Sequence, residues 1–263
     1  MNRIVLRYIL GTLILMSALS CSKKENEEGF NIFTIDQDIA LGKQLVSYLE
    51  SDTSDVDVLD PNQYPEAYGH IERITTKILN SGEVYYRDKF EWRVRIIRDD
   101  ETLNAFCAPG GYIYVYTGII KYLDNEYELA GVMGHEIAHA DKRHSTSQMT
   151  KQYGISILLA AIGGDQSIIG TIAGNLALLK YGRDDESQAD RWSVEYLCPT
   201  TYKADGAAKF FRKIGSSSVP EFLSTHPDPK NRVETIESLA AQKMCPGTDT
   251  LGLYVAFKNS LPK

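Results

Sequence analysis

Apolar residues recur at helical spacing from Ile35 to Leu49 and again from about Pro65 to Leu79, where Asn80-Ser81-Gly82 stops the second run. These two predicted helices form an outer wall. Phe90 to Ile97 alternates with the period of a strand, and Tyr112 to Tyr116, following Pro109-Gly110-Gly111, reads as another, so the two are expected to pair across the intervening turn. From Glu126 to about Arg143, Leu129, Val132, Met133 and Ile137 mark one face of a single long helix. Two apolar stretches follow, Ile155 to Ile162 and Ile168 to Leu179, separated by Gly163-Gly164-Asp165-Gln166-Ser167. Each is shorter than the ~20 residues that span a bilayer, and Asp165 argues against one joined span. Packed helices are expected, with a membrane-dipping element or a channel plug as the alternative. Further helices are expected from about Asp184 to Tyr196, stopped by Cys198-Pro199, from Ala204 to Ile214, and from Pro229 to Gln242. The fold class is therefore α+β and mainly helical, with a small β-sheet.

The first 20 residues have the form of an export signal: Arg3 and Arg7, an apolar run from Tyr8 to Leu15, then small residues up to Cys21. Ala18-Leu19-Ser20-Cys21 resembles a bacterial lipobox, which makes Cys21 the lipidated residue and 1–20 a lipoprotein signal peptide; ordinary secretion is the alternative. Residues 21–30 are polar and read as a flexible tether, and 31–263 as a single domain. The 263-residue chain carries a formal net charge of -7; removing residues 1–20 takes away two arginines and no acid, leaving -9. A nucleic-acid partner is not expected. With Cys21 lipidated, Cys107, Cys198 and Cys245 remain, and Cys198 with Cys245 is the preferred disulfide, although spacing does not decide the pairing. Cys107 is then a small buried hydrophobe.

The chemistry lies in His135-Glu136-Ile137-Ala138-His139. Two histidines four apart on a helix share a face one turn apart, so both imidazoles can meet one zinc ion. Glu136 is placed to reach a metal-bound water and act as general base. A catalytic zinc needs a third protein ligand. A histidine ten residues after His135 is ruled out, because Ser145 stands there and His144 is one place out of step. A glutamate from a second helix fits: Glu186 and Asp190 share a helix face, so Glu186 can bind the metal while Asp190 accepts the spare N–H of a ligand histidine. Ala189 between them permits close helix approach.

At this point the chain resembles peptidase family M48, gluzincins that include the bacterial heat-shock protease HtpX and the eukaryotic prenyl-protein endoproteases. The matching segments are Asn104-Ala105-Phe106 with Pro109-Gly110-Gly111, Ile113, Val115 and Gly118; Gly134 to His139; Glu186 with Ala189-Asp190; and His226-Pro227 with Arg232. The resemblance implies a zincin-like domain that cleaves peptide bonds within proteins, with one zinc held by His135, His139 and Glu186. It departs from the integral-membrane members and resembles soluble or lipid-anchored periplasmic ones, without the helical repeats some of them append.

Other roles are assigned as expectations. The strand Gly111, Tyr112, Ile113 and Tyr114 offers an edge for an extended substrate, or is an ordinary half-buried strand. His226 either stabilises the oxyanion, or fills the open zinc position and keeps the enzyme latent, or is structural. Arg232 is expected to pair with an acid such as Asp190 or Asp228. Tyr181 and Arg183 lie near Glu186, and His70 and His144 read as surface or packing residues. The expected function is a zinc endopeptidase of the bacterial cell envelope acting on unfolded or misassembled envelope proteins and attached to the membrane through lipid only. It faces the periplasm from the outer membrane or lies at the cell surface. A non-proteolytic, chaperone-like protein that retains the metal site is the alternative.

Overall fold

The computed structural model describes residues 31–51, 54–215, 220–227, 231–248 and 251–263. The signal peptide, Cys21, the tether and Asp228 lie outside them. The described elements are α1 (Ile35–Leu49), α2 (Pro65–Leu79), β1 (Arg93–Ile97), β2 (Ala105–Ala108), β3 (Tyr112–Tyr116), α3 (Thr117–Tyr122), α4 (Glu126–Asp141), α5 (His144–Tyr153), α6 (Ile155–Ile162), α7 (Gln166–Ala173), a 3-10 turn (Leu176–Leu178), α8 (Arg183–Leu197), α9 (Gly206–Gly215), α10 (Pro220–Thr225), α11 (Arg232–Gln242) and α12 (Leu251–Ser260). The molecule is mainly helical around one small sheet, the α+β class expected.

The three strands lie in the order β1-β3-β2. β1 runs parallel to β3, and β2 runs antiparallel to it. The expected pairing of the first and last strands occurs, but it is parallel and needs the crossover through β2, so no turn joins the two directly. β2 escapes the sequence pattern because all four of its residues are buried and small or apolar, leaving no alternation to detect. The expected strand start at Phe90 moves to Arg93, since Trp92 has a φ of 29° and the chain before it is coiled in turns.

The sheet is covered on both faces. Val94, Ile96, Cys107, Ile113 and Val115 pack into the core shared with α2 and α4, while Phe106, Tyr112 and Tyr114 pack into the core shared with α1, α6 and α7. The Tyr-Ile-Tyr-Val-Tyr alternation therefore separates two buried faces rather than a wet and a dry one.

One expectation about this strand is overturned. Gly111, Tyr112, Ile113 and Tyr114 cannot offer a free edge to substrate, because β3 is the central strand and both of its sides are taken by β1 and β2. The outer edge of the sheet nearest α4 belongs to β2. There, Cys107 O accepts from Ser145 Oγ at 3.2 Å, and Asn104 Nδ2 donates to Ala177 O at 3.2 Å.

α4 ends at Asp141, close to the expected end near Arg143, and the left-handed Arg143, with a φ of 61°, starts a separate helix to which the sequence pattern gave no signal. Asp165 caps α7 by accepting from Ser167 N and Ile168 N at 3.1 and 3.2 Å, which moves the helix start ahead of Ile168. No single described helix is long and apolar enough to cross a membrane; α6 with α7 passes that test jointly, but the pair is bent by 112°.

α4 crosses α9 at very short range. A Cβ on Gly131 would lie 2.1 Å from Ala207 N, and one on Gly206 would lie 2.0 Å from Tyr127 O, so glycine is required at both. Cys198 at the end of α8 forms a disulfide with Cys245, and Cys107 is free and buried, as preferred from the sequence.

Candidate active site

α4 is buried along its whole length, an arrangement that the small residues Ala130, Gly131, Gly134, Ala138 and Ala140 allow. His135 and His139 point from one face of it, with their Nε2 atoms 3.0 Å apart. α8 packs alongside and delivers Glu186, whose Oε2 is 3.3 Å from His135 Nε2 and whose Oε1 is 3.3 Å from His139 Nε2. His226, just past α10, brings Nδ1 to 3.0 Å from Glu186 Oε1 and 3.4 Å from His135 Nε2. The donor atoms of His135, His139, Glu186 and His226 all lie within 4.8 Å of one another. His135, His139 and Glu186 have no exposed surface, and His226 is 1% exposed.

This arrangement fits a zinc ion. Ligand atoms about 2.0–2.2 Å from a tetrahedral zinc stand roughly 3.3 Å from each other, which is the spacing found here, and imidazole nitrogen with carboxylate oxygen is a usual donor set for it. The electrostatics agree. Burial alone would lower the pKa of His135, but its contacts with Asp190 and Glu186 outweigh that and bring it to about 9, so the carboxylates call for positive charge at this point. Burial would likewise raise Glu186, yet His226, His135 and His139 hold it well below the usual carboxylate range. Burial lowers the pKa of His139 well below that of a free imidazole.

Glu136 has no exposed surface, and neither carboxylate oxygen accepts a hydrogen bond from the described residues; His226 Nε2 stands 3.6 Å from its Oε1. Burial raises its pKa. A carboxylate held this way has unused lone pairs close to the donor cluster and an increased affinity for a proton, the properties of a general base.

Asp190 Oδ1 stands 2.9 Å from His135 Nδ1, close enough to pair although the N–H is angled off a straight hydrogen bond. Arg232 locks that carboxylate with Nε to Oδ2 at 3.0 Å and Nη2 to Oδ1 at 2.7 Å, and Nη2 also reaches Glu186 Oε2 at 3.2 Å. Asp190, one of the two acids expected to pair with Arg232, does so, and the other, Asp228, lies outside the described residues.

The ring of Tyr181 stacks on His139, centroids 3.8 Å apart, and Phe222 stacks on His226 at 4.3 Å. His70 is a packing residue, stacked on Phe257. His144 is not a surface residue: it is 2% exposed and bonds directly to His139. Nothing in the apolar periodicity signals this, because it depends on the reversal at Arg143. The side chains of Tyr112 and Tyr114 lie in the opposite core and take no part in the cluster.

Comparison with known proteins gives the same picture. A putative beta-barrel assembly-enhancing protease from Vibrio cholerae is 29% identical over 239 residues, 82% of this chain and 47% of that protein. The beta-barrel assembly-enhancing protease of Yersinia pestis is 28% identical over 260 residues, 87% of this chain and 51% of the relative. Mitochondrial metalloendopeptidase OMA1 of Arabidopsis thaliana is 30% identical over 146 residues, 54% of this chain and 30% of the relative. This chain thus spans about half or less of the length of these relatives. The family model described as "Peptidase family M48" matches residues 65–240, from α2 to the last turn of α11 and so across every side chain of the cluster. The chain belongs to peptidase family M48.

Proposed function

We propose that this protein is a zinc-dependent endopeptidase of the bacterial cell envelope, with the peptidase domain at 31–263, a tether at 21–30 and a lipid on Cys21. The observation that carries the proposal is the convergence of four buried donors beside a glutamate whose carboxylate has no hydrogen-bond partner among the described residues.

His135, His139 and Glu186 hold the metal. When bound, zinc supplies Lewis acidity, lowering the pKa of water and polarising a carbonyl. Glu136 takes the proton of the attacking water at its carboxylate and returns it to the leaving amine nitrogen. Asp190 fixes the tautomer and orientation of His135, and Arg232 fixes Asp190. The similarity to proteases named for β-barrel assembly supports substrates among unfolded or misassembled envelope proteins, with the protein facing the periplasm from the outer membrane or lying at the cell surface.

A second reading concerns state rather than class. His226 offers a fourth donor, and a set of four protein ligands leaves no position for water or substrate. With His226 as fourth ligand the enzyme would be latent, and His226 would have to leave the metal for turnover, when its imidazole could donate to an oxyanion.

The test is zinc content together with casein hydrolysis for the parent and Glu136→Gln. About one zinc per chain in both, with cleavage by the parent alone, is the expected result. Zinc in both without cleavage would favour latency or the non-proteolytic alternative, and absence of zinc would overturn the ligand assignment.

A further inference from the structure

His144 begins α5 immediately after the left-handed Arg143, and that reversal folds it back onto the helix it has just left. Its Nδ1 comes to 2.9 Å from Nδ1 of His139, the two rings meeting edge to face at 72°. On the far side of the ring, Nε2 is 2.8 Å from Oε1 of Gln188 and 3.9 Å from Oδ1 of Asp185.

Two ring nitrogens at hydrogen-bonding distance share one proton, and its position follows from the rest of the site. His139 turns Nε2 towards Glu186 and His135, so metal binding requires a lone pair on Nε2 and a proton on Nδ1. His144 Nδ1 must then accept. A neutral imidazole that accepts at Nδ1 carries its own proton on Nε2, which finds an acceptor in the Gln188 carbonyl oxygen. The donors run in one direction: His139 to His144, and His144 to Gln188.

We infer that His144 is a positioning residue, holding His139 in the tautomer and ring orientation that presents Nε2 to the metal and linking that orientation, through Gln188, to the helix that carries Glu186. The inference rests on the zinc-site reading given above. The two ligand histidines are thus supported by different chemistry, His135 by a carboxylate and His139 by a neutral ring. Among the described residues, Glu136, Glu186 and Asp190 already place three carboxyl groups in the buried site, two of them held by the guanidinium of Arg232. A neutral acceptor orients His139 without burying a fourth anion.

Zinc dissociation constants of the purified full chain, measured by competition with a chromophoric chelator, test this. The parent is expected to bind one zinc that His139→Ala loses. His144→Leu, which removes the acceptor, is expected to weaken binding roughly 10–100-fold. His144→Asn places an amide oxygen about where Nδ1 stands and should recover affinity to within about threefold of the parent, a rescue that packing alone would not give. Gln188→Met should weaken binding several-fold. Parental affinity in His144→Leu, or equal loss in the Leu and Asn variants, would overturn the inference; should the Leu variant fail to fold, parental affinity in Gln188→Met would overturn it instead. Failure is separable from failure of the zinc site itself: a parent that binds no zinc, or a His139→Ala variant that binds like the parent, sinks the site and this inference together.

Discussion

Arg232 grips Asp190 with two hydrogen bonds, Nε to Oδ2 at 3.0 Å and Nη2 to Oδ1 at 2.7 Å, and its Cζ lies 3.5 Å from the centroid of the Phe211 ring. The pair is buried, and Asp190 in turn faces the first histidine of the metal motif. An ammonium group cannot reproduce that planar fork. Arg232→Lys is therefore expected to lower zinc affinity roughly 10–100-fold, with casein cleavage falling in step. Chelator competition measures the first effect, and parental affinity would show that Arg232 serves packing alone.

His226→Ala removes the fourth donor while sparing His135, His139 and Glu186. On the latent-state reading, casein hydrolysis rises roughly tenfold or more and the zinc stays bound. Initial rates decide it. A variant slower than the parent would assign His226 to the oxyanion and not to the latch.

Glu126 has no exposed surface and is held by Arg73 through two bonds of 2.6 Å and by Tyr202 OH at 2.6 Å. Burial would raise its pKa, but these donors outweigh that and lower it. A carboxyl group whose folded pKa lies below its unfolded value, about 4.3, adds stability that is fully present above that value and is lost as pH falls through the folded one. Thermal unfolding from pH 7 down to pH 3 should show this loss in the parent and a shallower acid limb in Glu126→Gln. At neutral pH, Arg73→Met leaves the buried carboxylate poorly partnered and is expected to cost about 2 kcal/mol, since Arg73 itself is partly exposed.

The Cys198–Cys245 disulfide closes a loop with a sequence separation of 47. In the chain-entropy account such a loop contributes about 4 kcal/mol, by restricting the unfolded chain. Replacing both cysteines with serine should lower the denaturation midpoint correspondingly and leave zinc affinity unchanged. A shift no larger than that of an ordinary surface substitution would contradict that account.

Much of the scaffold was legible because strong local signals agreed with tertiary packing. α1 and α2 occupy the expected ranges, and His135, Glu136, His139, Glu186 and Asp190 come together as their helical spacing implied. What was illegible depends on long-range geometry. Strand order decides whether Tyr112 to Tyr114 sits at an edge or in the middle, and strand order is not written in a local alternation. β2 has too few residues and no polar face to reveal it. His144 could not be read because one left-handed residue, Arg143, reverses the chain. That conformation is stabilised from afar by the ion pair of Arg143 Nε with Asp38 Oδ2 at 2.7 Å and by donation to Phe33 O.

The enclosure of the site has a kinetic meaning. On the endopeptidase reading, with His135, Glu136, His139 and Glu186 wholly covered, a peptide would have to reach them through an opened conformation of the protein. If about one molecule in a hundred is open, every observed kcat/KM is about one-hundredth of what the chemistry alone would give. A substrate that stabilises the opened form removes part of that factor for itself. On that reading, rates would report a population as well as a barrier, and two polypeptides with equally cleavable bonds would differ in turnover according to how well each stabilises the opened form.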